Sequence, residues 1–413
     1  MYRISLKTVI LFMFGLSIYS GLHGGLYFLG NILQEVGLLC SIILFLIGSI
    51  YSSLNVKENN LNWSFWFFTT LLMVGFTFIL PGYVFAQNTG ASMLPSVFAG
   101  REFLAIILGP ALWFLYRSGL EVELVERTFL LTLALLIFSY LFHYFRLDLI
   151  AVSQSDDHRI SSLVTIDLWR GARLRAPSAA LFLVTLASPL LIFKSDSSKW
   201  KLFWFLQFLM VLYIWSLLLS RAEMATLLGA AILYNLLFAR KYRLAMFFAA
   251  IPSIIVLAYF GTKGFIEHLS TLDVYDGVRY VSYNIAWDTS LDFPLLGFGQ
   301  DSRHTVSFQE LFWLYFWPSD IGLAGVVFKH GYIGGFIYVY FSIYMIKRLV
   351  DTNWLYRKKY GHTNIVLASL LIVFIAYMLN IILSPKFIKI PGITLATFSI
   401  AITAMWRHKL TDK

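Results

Sequence analysis

The 413 residues are 59% hydrophobic and 13% charged, with a mean hydropathy of +0.74 and a formal net charge of +10. Soluble domains carry about 25% charged residues, so a globule with a fully polar skin is excluded, and lipid must replace water around most of the surface. Cys40 is the only cysteine, which excludes an intrachain disulfide and a cysteine-built metal centre.

At the N-terminus, Arg3 and Lys7 precede an apolar run, no small-residue cleavage site follows, and Gly21–Gly25 reads as a turn. The first segment is therefore expected to stay as an anchor. Apolar runs then fall at about 8–28, 32–54, 63–85, 103–117, 127–147, 176–193, 202–219, 222–239, 244–262, 321–346, 364–384 and 388–406. At roughly 20 residues per pass, they predict an all-α integral membrane protein of about twelve transmembrane helices, a single polytopic domain over 1–413. Leu202–Ala239 is too long for one pass and is broken by Ser220-Arg221-Ala222-Glu223, which predicts two passes and a tight outer turn.

With the N-terminus inside, the cytoplasmic segments collect 19 of the 32 basic residues against 7 acids. That bias is the positive-inside pattern, and it places both termini in the cytoplasm. The net charge is then an effect of the cytoplasmic face and gives no reason to expect nucleic acid. Two extracytoplasmic loops exceed a simple turn, at about 148–175 and 263–320. Connections of that length usually carry function. Within the second, Val278–Ser290 predicts a short interfacial helix with Arg279, Tyr283 and Trp287 on one stripe, stopped by Pro294, Gly297 and Gly299.

The outer bases are mostly arginine: Arg101, Arg146, Arg159, Arg170, Arg173, Arg175, Arg221, Arg279 and Arg303 are nine of thirteen. A guanidinium grips phosphate through a planar donor fork, so an anionic ligand such as a lipid diphosphate is expected, although arginines near helix ends also snorkel or pair with local acids. Arg221 lies between two apolar helices, with Glu223 as an alternative ion-pair partner. Arg170 and Arg173 lie three apart before the sixth helix, with Asp167 one turn earlier. Asp320 opens the helix after the long loop, either as an N-cap or as a general base toward a sugar hydroxyl. His304 is a second candidate base, and His330 reads as packing. Asp156 and Asp157 are adjacent, while Asp148 and Asp167 stand apart, so no acid pair suits a magnesium-dependent nucleotide-sugar enzyme. No metal or cofactor is expected.

Three segments resemble the O-antigen polymerase and O-antigen ligase superfamily, which includes the Wzy-type repeat-unit polymerases. They are Leu217-Leu218-Leu219-Ser220-Arg221-Ala222, the stretch from Arg279 to Trp287 followed by Phe293-Pro294-Leu295-Leu296-Gly297-Phe298-Gly299, and Ser319-Asp320-Ile321-Gly322 leading to Gly331-Tyr332-Ile333-Gly334-Gly335. The resemblance implies a metal-independent glycosyltransferase in the bacterial inner membrane, using an undecaprenyl-diphosphate-linked oligosaccharide at the outer face, with a chain-length regulator as a protein partner. By motif it implies catalytic roles for Arg221 and Arg279, and by loop position alone substrate binding for Arg170 and Arg173; Asp320 is expected as the catalytic base, and Arg101, Arg303 and His304 are expected to bind substrate. The ligases carry a His eleven residues before the helix glycine, where this chain has Asp320, so the resemblance favours a polymerase of O-antigen, capsule or exopolysaccharide units over a ligase. A transporter of the same lipid-linked units is the alternative from another class.

Overall fold

Why a chain this apolar stays ordered is visible in how its helices divide between lipid and core. The computed structural model describes residues 5–22, 31–54, 63–155, 161, 163–167, 171–218, 221–238, 275–301, 306–313, 316–381, 386 and 389–411, with Arg221 and Arg279 placed by backbone only. Its helices are α1 (Leu6–Gly21), α2 (Asn31–Leu54), α3 (Trp63–Val74), α4 (Leu80–Thr89), α5 (Met93–Ala99), α6 (Leu108–Arg117), α7 (Val122–Arg146) and α8 (Leu149–Ser153). After a β-hairpin come α9 (Ser178–Lys194), α10 (Ser198–Leu218), α11 (Arg221–Phe238), α12 (Tyr275–Asp292), α13 (Phe308–Leu311), α14 (Gly322–Tyr360), α15 (Ile365–Leu379) and α16 (Ile390–Thr411).

Among the described residues, six helices are long and apolar enough to cross a membrane, and a seventh span arises if Met93–Ala99 and Phe103–Arg117, bent by 54°, form one. Four shorter apolar helices join them: Leu6–Gly21, Ser178–Lys194, Glu223–Phe238 and Ile365–Leu379. Eleven of the apolar runs read from the sequence thus fall on helices, and the run at 244–262 lies outside the described residues. Phe12, Leu72, Phe193 and Phe336 leave more than two thirds of their surface open, at 71, 74, 87 and 71%. Apolar faces of that size are stable against acyl chains rather than water. The protein is a helical multi-pass membrane protein.

α15 is the opposite case. Every residue from Ile365 to Tyr377 is buried, as a helix that is apolar all round demands. Asn364 starts it by accepting the Leu367 amide at 2.9 Å. Beside it, the Phe398 ring of α16 stacks on Phe129 of α7 at 3.9 Å and on Phe14 of α1 at 5.9 Å.

Polar contacts gather at the two ends of the helices. At one end Lys7 faces Glu121 at 3.9 Å, Arg407 faces Asp351 at 3.8 Å, and Lys409 pairs with Glu123. Glu126 accepts the Trp406 indole at 2.7 Å and the Asn364 amide at 2.9 Å. The other end carries the β-hairpin, the start of α11, the start of α14 and the turn before α16.

Two local readings of the sequence are corrected. Residues 163–175 hold an antiparallel hairpin of β1 (Val164–Asp167) and β2 (Gly171–Leu174), with Thr165 opposite Arg173 and Asp167 opposite Gly171. Arg173 therefore lies on a strand and not on a helix, and among the described residues this hairpin is the exception to an all-α fold. α10 and α11 are separate helices, as the break at Ser220–Glu223 predicts, and the turn between them lies outside the described residues; α10 lies against α9, and α11 against α15. Asp320 is not an N-cap, because it ends a short 3-10 turn (Pro318–Asp320), and Ile321 precedes the first helical residue of α14.

α14 is broken at Gly331, where φ is 67° and ψ −175°, a region that side chains exclude. The exposed backbone groups of the break are taken up by the glycine-rich stretch after α12. Phe298 N–H donates to Phe328 O at 2.7 Å, Gly299 N–H to Lys329 O at 3.1 Å, and Tyr332 N–H to Pro294 O at 2.8 Å. A Cβ on Gly297 would lie 2.4 Å from the Gly331 nitrogen, and one on Gly331 2.1 Å from Leu295 O. Two of the three resemblance segments therefore meet backbone to backbone. Phe85, Phe298, Phe308, Phe316 and Phe328 close around the junction as a second small core.

Candidate functional site

Alternation along a strand puts residues two apart on the same face, and this brings Arg173 and the following Arg175 together at the edge of the hairpin. The ladder continues past β2, with Arg175 N–H donating to Leu163 O at 2.8 Å, while Tyr140 on α7 donates its hydroxyl to Leu174 O at 3.3 Å and fixes the strand to the bundle. Thr165, Arg173, Leu174, Arg175, Ala176, Ser178, Leu218 and Glu223 line a cleft of about 250 Å³. Its walls are thus the hairpin, the start of α9, the last residue of α10 and the first turn of α11.

Arg173 and Glu223 are each held by a defined contact. Arg173 Nη1 donates to Leu218 O at 3.1 Å, a favourable place for a cation because carbonyls at a helix C-terminus carry partial negative charge. Glu223 Oε1 accepts from Lys386 Nζ at 2.8 Å, and both side chains are about four-fifths buried, with 20 and 18% exposed. Lys389 Nζ stands 3.8 Å from Asp320 Oδ1. Partial burial pushes the Lys389 ammonium below the ordinary lysine value of 10.5; Asp320 opposes that shift, and the nearby cations Lys386, Arg175 and Lys329 reinforce it. Lys329 in turn donates to Gln300 Oε1 at 3.0 Å. Three regions far apart in sequence, the hairpin, α14 and the residues just before α16, therefore deliver Arg173, Arg175, Lys329, Lys386 and Lys389 to one end of the molecule, with Glu223 and Asp320 among them.

The sequence-derived residues are distributed as follows. Arg173 lines the cleft. Arg221 opens α11, two residues before Glu223, and Arg279 lies in α12; their side chains are outside the described residues, as are Arg170, Arg303 and His304. Asp320 is 60% exposed on its side chain, bound to Lys389 and to the Ser319 hydroxyl; it borders the cation group without lining the cleft. Arg101 is held by Glu35 at 2.6 Å and by Phe98 O at 3.2 Å, and it does not line the cleft. His330 packs edge-on to Phe103 with ring centroids 6.1 Å apart.

Lys386 and Lys389 were not singled out by sequence reasoning, which among the outer lysines and arginines weighed only the arginines. The signal was present: two lysines three residues apart with no acid near them, in a connection that the positive-inside reading expects to be extracytoplasmic. Among the described residues, no three His, Cys, Asp or Glu side chains come together as a metal-ligand set. Chemically, the cleft suits a multiply charged anion with a group beside it that must lose a proton. Compared with known proteins, the chain matches no family model and no curated protein.

Proposed function

We propose that this protein is a polymerase that joins lipid-linked oligosaccharide units, transferring a glycan from an undecaprenyl-diphosphate donor to the next acceptor at the outer face of a bacterial cytoplasmic membrane. The observation that carries the reading is the cleft itself: Arg173 and Arg175 on one strand face, with Lys386 and Lys389 beside them, around a space lined also by a carboxylate. In glycosyl transfer from such a donor, the bond from the anomeric carbon to phosphate breaks as the acceptor oxygen attacks. Fixed cations that balance charge growing on the departing diphosphate lower that barrier without needing a metal.

In this reading the chain makes twelve passes with both termini in the cytoplasm. The end bearing Lys7, Arg407 and Lys409 is the cytoplasmic one, as the positive-inside pattern asks, and the cleft opens at the opposite end. At about 250 Å³ it is smaller than the roughly 300–1,000 Å³ usual for small-molecule pockets. In this reading it takes the diphosphate and the reacting edge of one sugar, with the remaining sugars and the prenyl chain outside.

The test is genetic. Deleting the gene should leave single-unit glycans in place of long chains, and a copy carrying Arg173→Ala and Arg175→Ala should fail to restore length although it reaches the membrane. Unchanged chain length with loss only of attachment to the lipid core would instead identify a ligase. Accumulation of intact lipid-linked units on the cytoplasmic side would identify a transporter.

A further inference from the structure

Resting on the glycosyl-transfer reading, we infer that Glu223 is the catalytic base, with Lys386 as the residue that positions it. Attack by an acceptor hydroxyl requires that its proton go to a group inside the same space. Glu223 is the carboxylate among the residues lining the cleft with Arg173 and Arg175. It stands in the first turn of α11, two residues after Arg221, and its side chain is only 20% exposed. Asp320, by contrast, sits 60% exposed outside the lining residues and is engaged with Lys389.

Lys386 fixes the geometry. A glutamate side chain has three rotatable bonds, and an unrestrained carboxylate would spend much of its time turned out of the cleft. The 2.8 Å contact from Lys386 Nζ to Glu223 Oε1 ties it to the turn before α16. Such charge-assisted contacts are short and directional. The step balances as follows. The acceptor oxygen forms its bond to the anomeric carbon, the bond from that carbon to phosphate oxygen breaks, undecaprenyl diphosphate leaves with the electron pair beside Arg173 and Arg175, and the proton passes to the Glu223 carboxylate and then to water.

The experiment is steady-state turnover of purified full-length protein with an undecaprenyl-diphosphate-linked repeat, measured together with its binding of undecaprenyl diphosphate. Glu223→Gln should lower kcat by about 10²–10⁴-fold, the range for loss of a general base, with KM and diphosphate binding within about threefold of wild type. Glu223→Asp should recover part of kcat, and Lys386→Met should lower it by about tenfold. An ion pair that merely holds α11 to the α16 turn would survive the exchange Glu223→Lys with Lys386→Glu, and this double variant separates the two roles: it should fold and remain inactive. Activity of Glu223→Gln above a tenth of wild type, or restoration by the exchange, overturns the assignment. If wild type itself forms no longer glycans, the glycosyl-transfer reading is what fails. If wild type is active and Asp320→Asn is inactive while Glu223→Gln works, the base is Asp320.

Discussion

Arg173 is the residue on which the cleft's chemistry turns, because its guanidinium is both fixed by Leu218 O and open to the cavity. A hydrogen bond to a charged group is worth about 1.5–3 kcal/mol, so Arg173→Ala should weaken binding of undecaprenyl diphosphate by roughly 10–150-fold, as measured by thermophoresis in detergent. Lys389 gives a pH signature. On the proposed reading anion binding draws on its charged ammonium, which stands beside the cleft, and burial holds its pKa below 10.5. Affinity should therefore start to fall on the alkaline side earlier than a free lysine would dictate, and Lys389→Arg, which stays charged, should remove that decline. An affinity flat to pH 10 in wild type would argue against a role for Lys389. At this scale the sequence was legible for what arginine prefers to bind, but not for which arginines meet. Arg101 carries the same signal as Arg173 and is occupied by Glu35, a pairing between α2 and the turn after α5 that no local pattern encodes.

At the scale of elements, the helices were readable because an apolar run of sufficient length has few alternatives in a bilayer. The hairpin was missed because the three-residue spacing of Arg170 and Arg173 reads as helical, and only the pairing of Gly171–Leu174 with Val164–Asp167 shows a strand there. The helix over 275–292 and the turn at Gly297 and Gly299 were foreseeable from periodicity and glycine content. That this turn plugs a break in α14 was not, since it depends on backbone groups meeting across some thirty residues of chain. The plug makes a sharp prediction. Gly331→Ala forces a side chain into a conformation that costs about 1–3 kcal/mol and drives its Cβ to 2.1 Å from Leu295 O. The thermal midpoint in detergent should drop by several degrees, with loss of activity; a shift under one degree would mean that the junction is loosely packed.

For the whole molecule, the proposed topology puts the end bearing Lys7, Arg407 and Lys409 in the cytoplasm. Cys40 is the only cysteine and is buried, so a Cys40→Ala background permits site-directed labelling. A membrane-impermeant maleimide should label Ser319→Cys in intact spheroplasts and His362→Cys only after permeabilisation, because these positions flank α14 at its two ends; the reverse pattern would invert the topology. The account as a whole rests on where a prenyl diphosphate settles. The direct measurement is an experimental structure of the protein with undecaprenyl diphosphate bound. Its phosphate oxygens are expected within about 2.7–3.2 Å of guanidinium nitrogens of Arg173 and Arg175, with Glu223 facing the bridging end. A diphosphate bound elsewhere, with the cleft holding only water, would contradict the account.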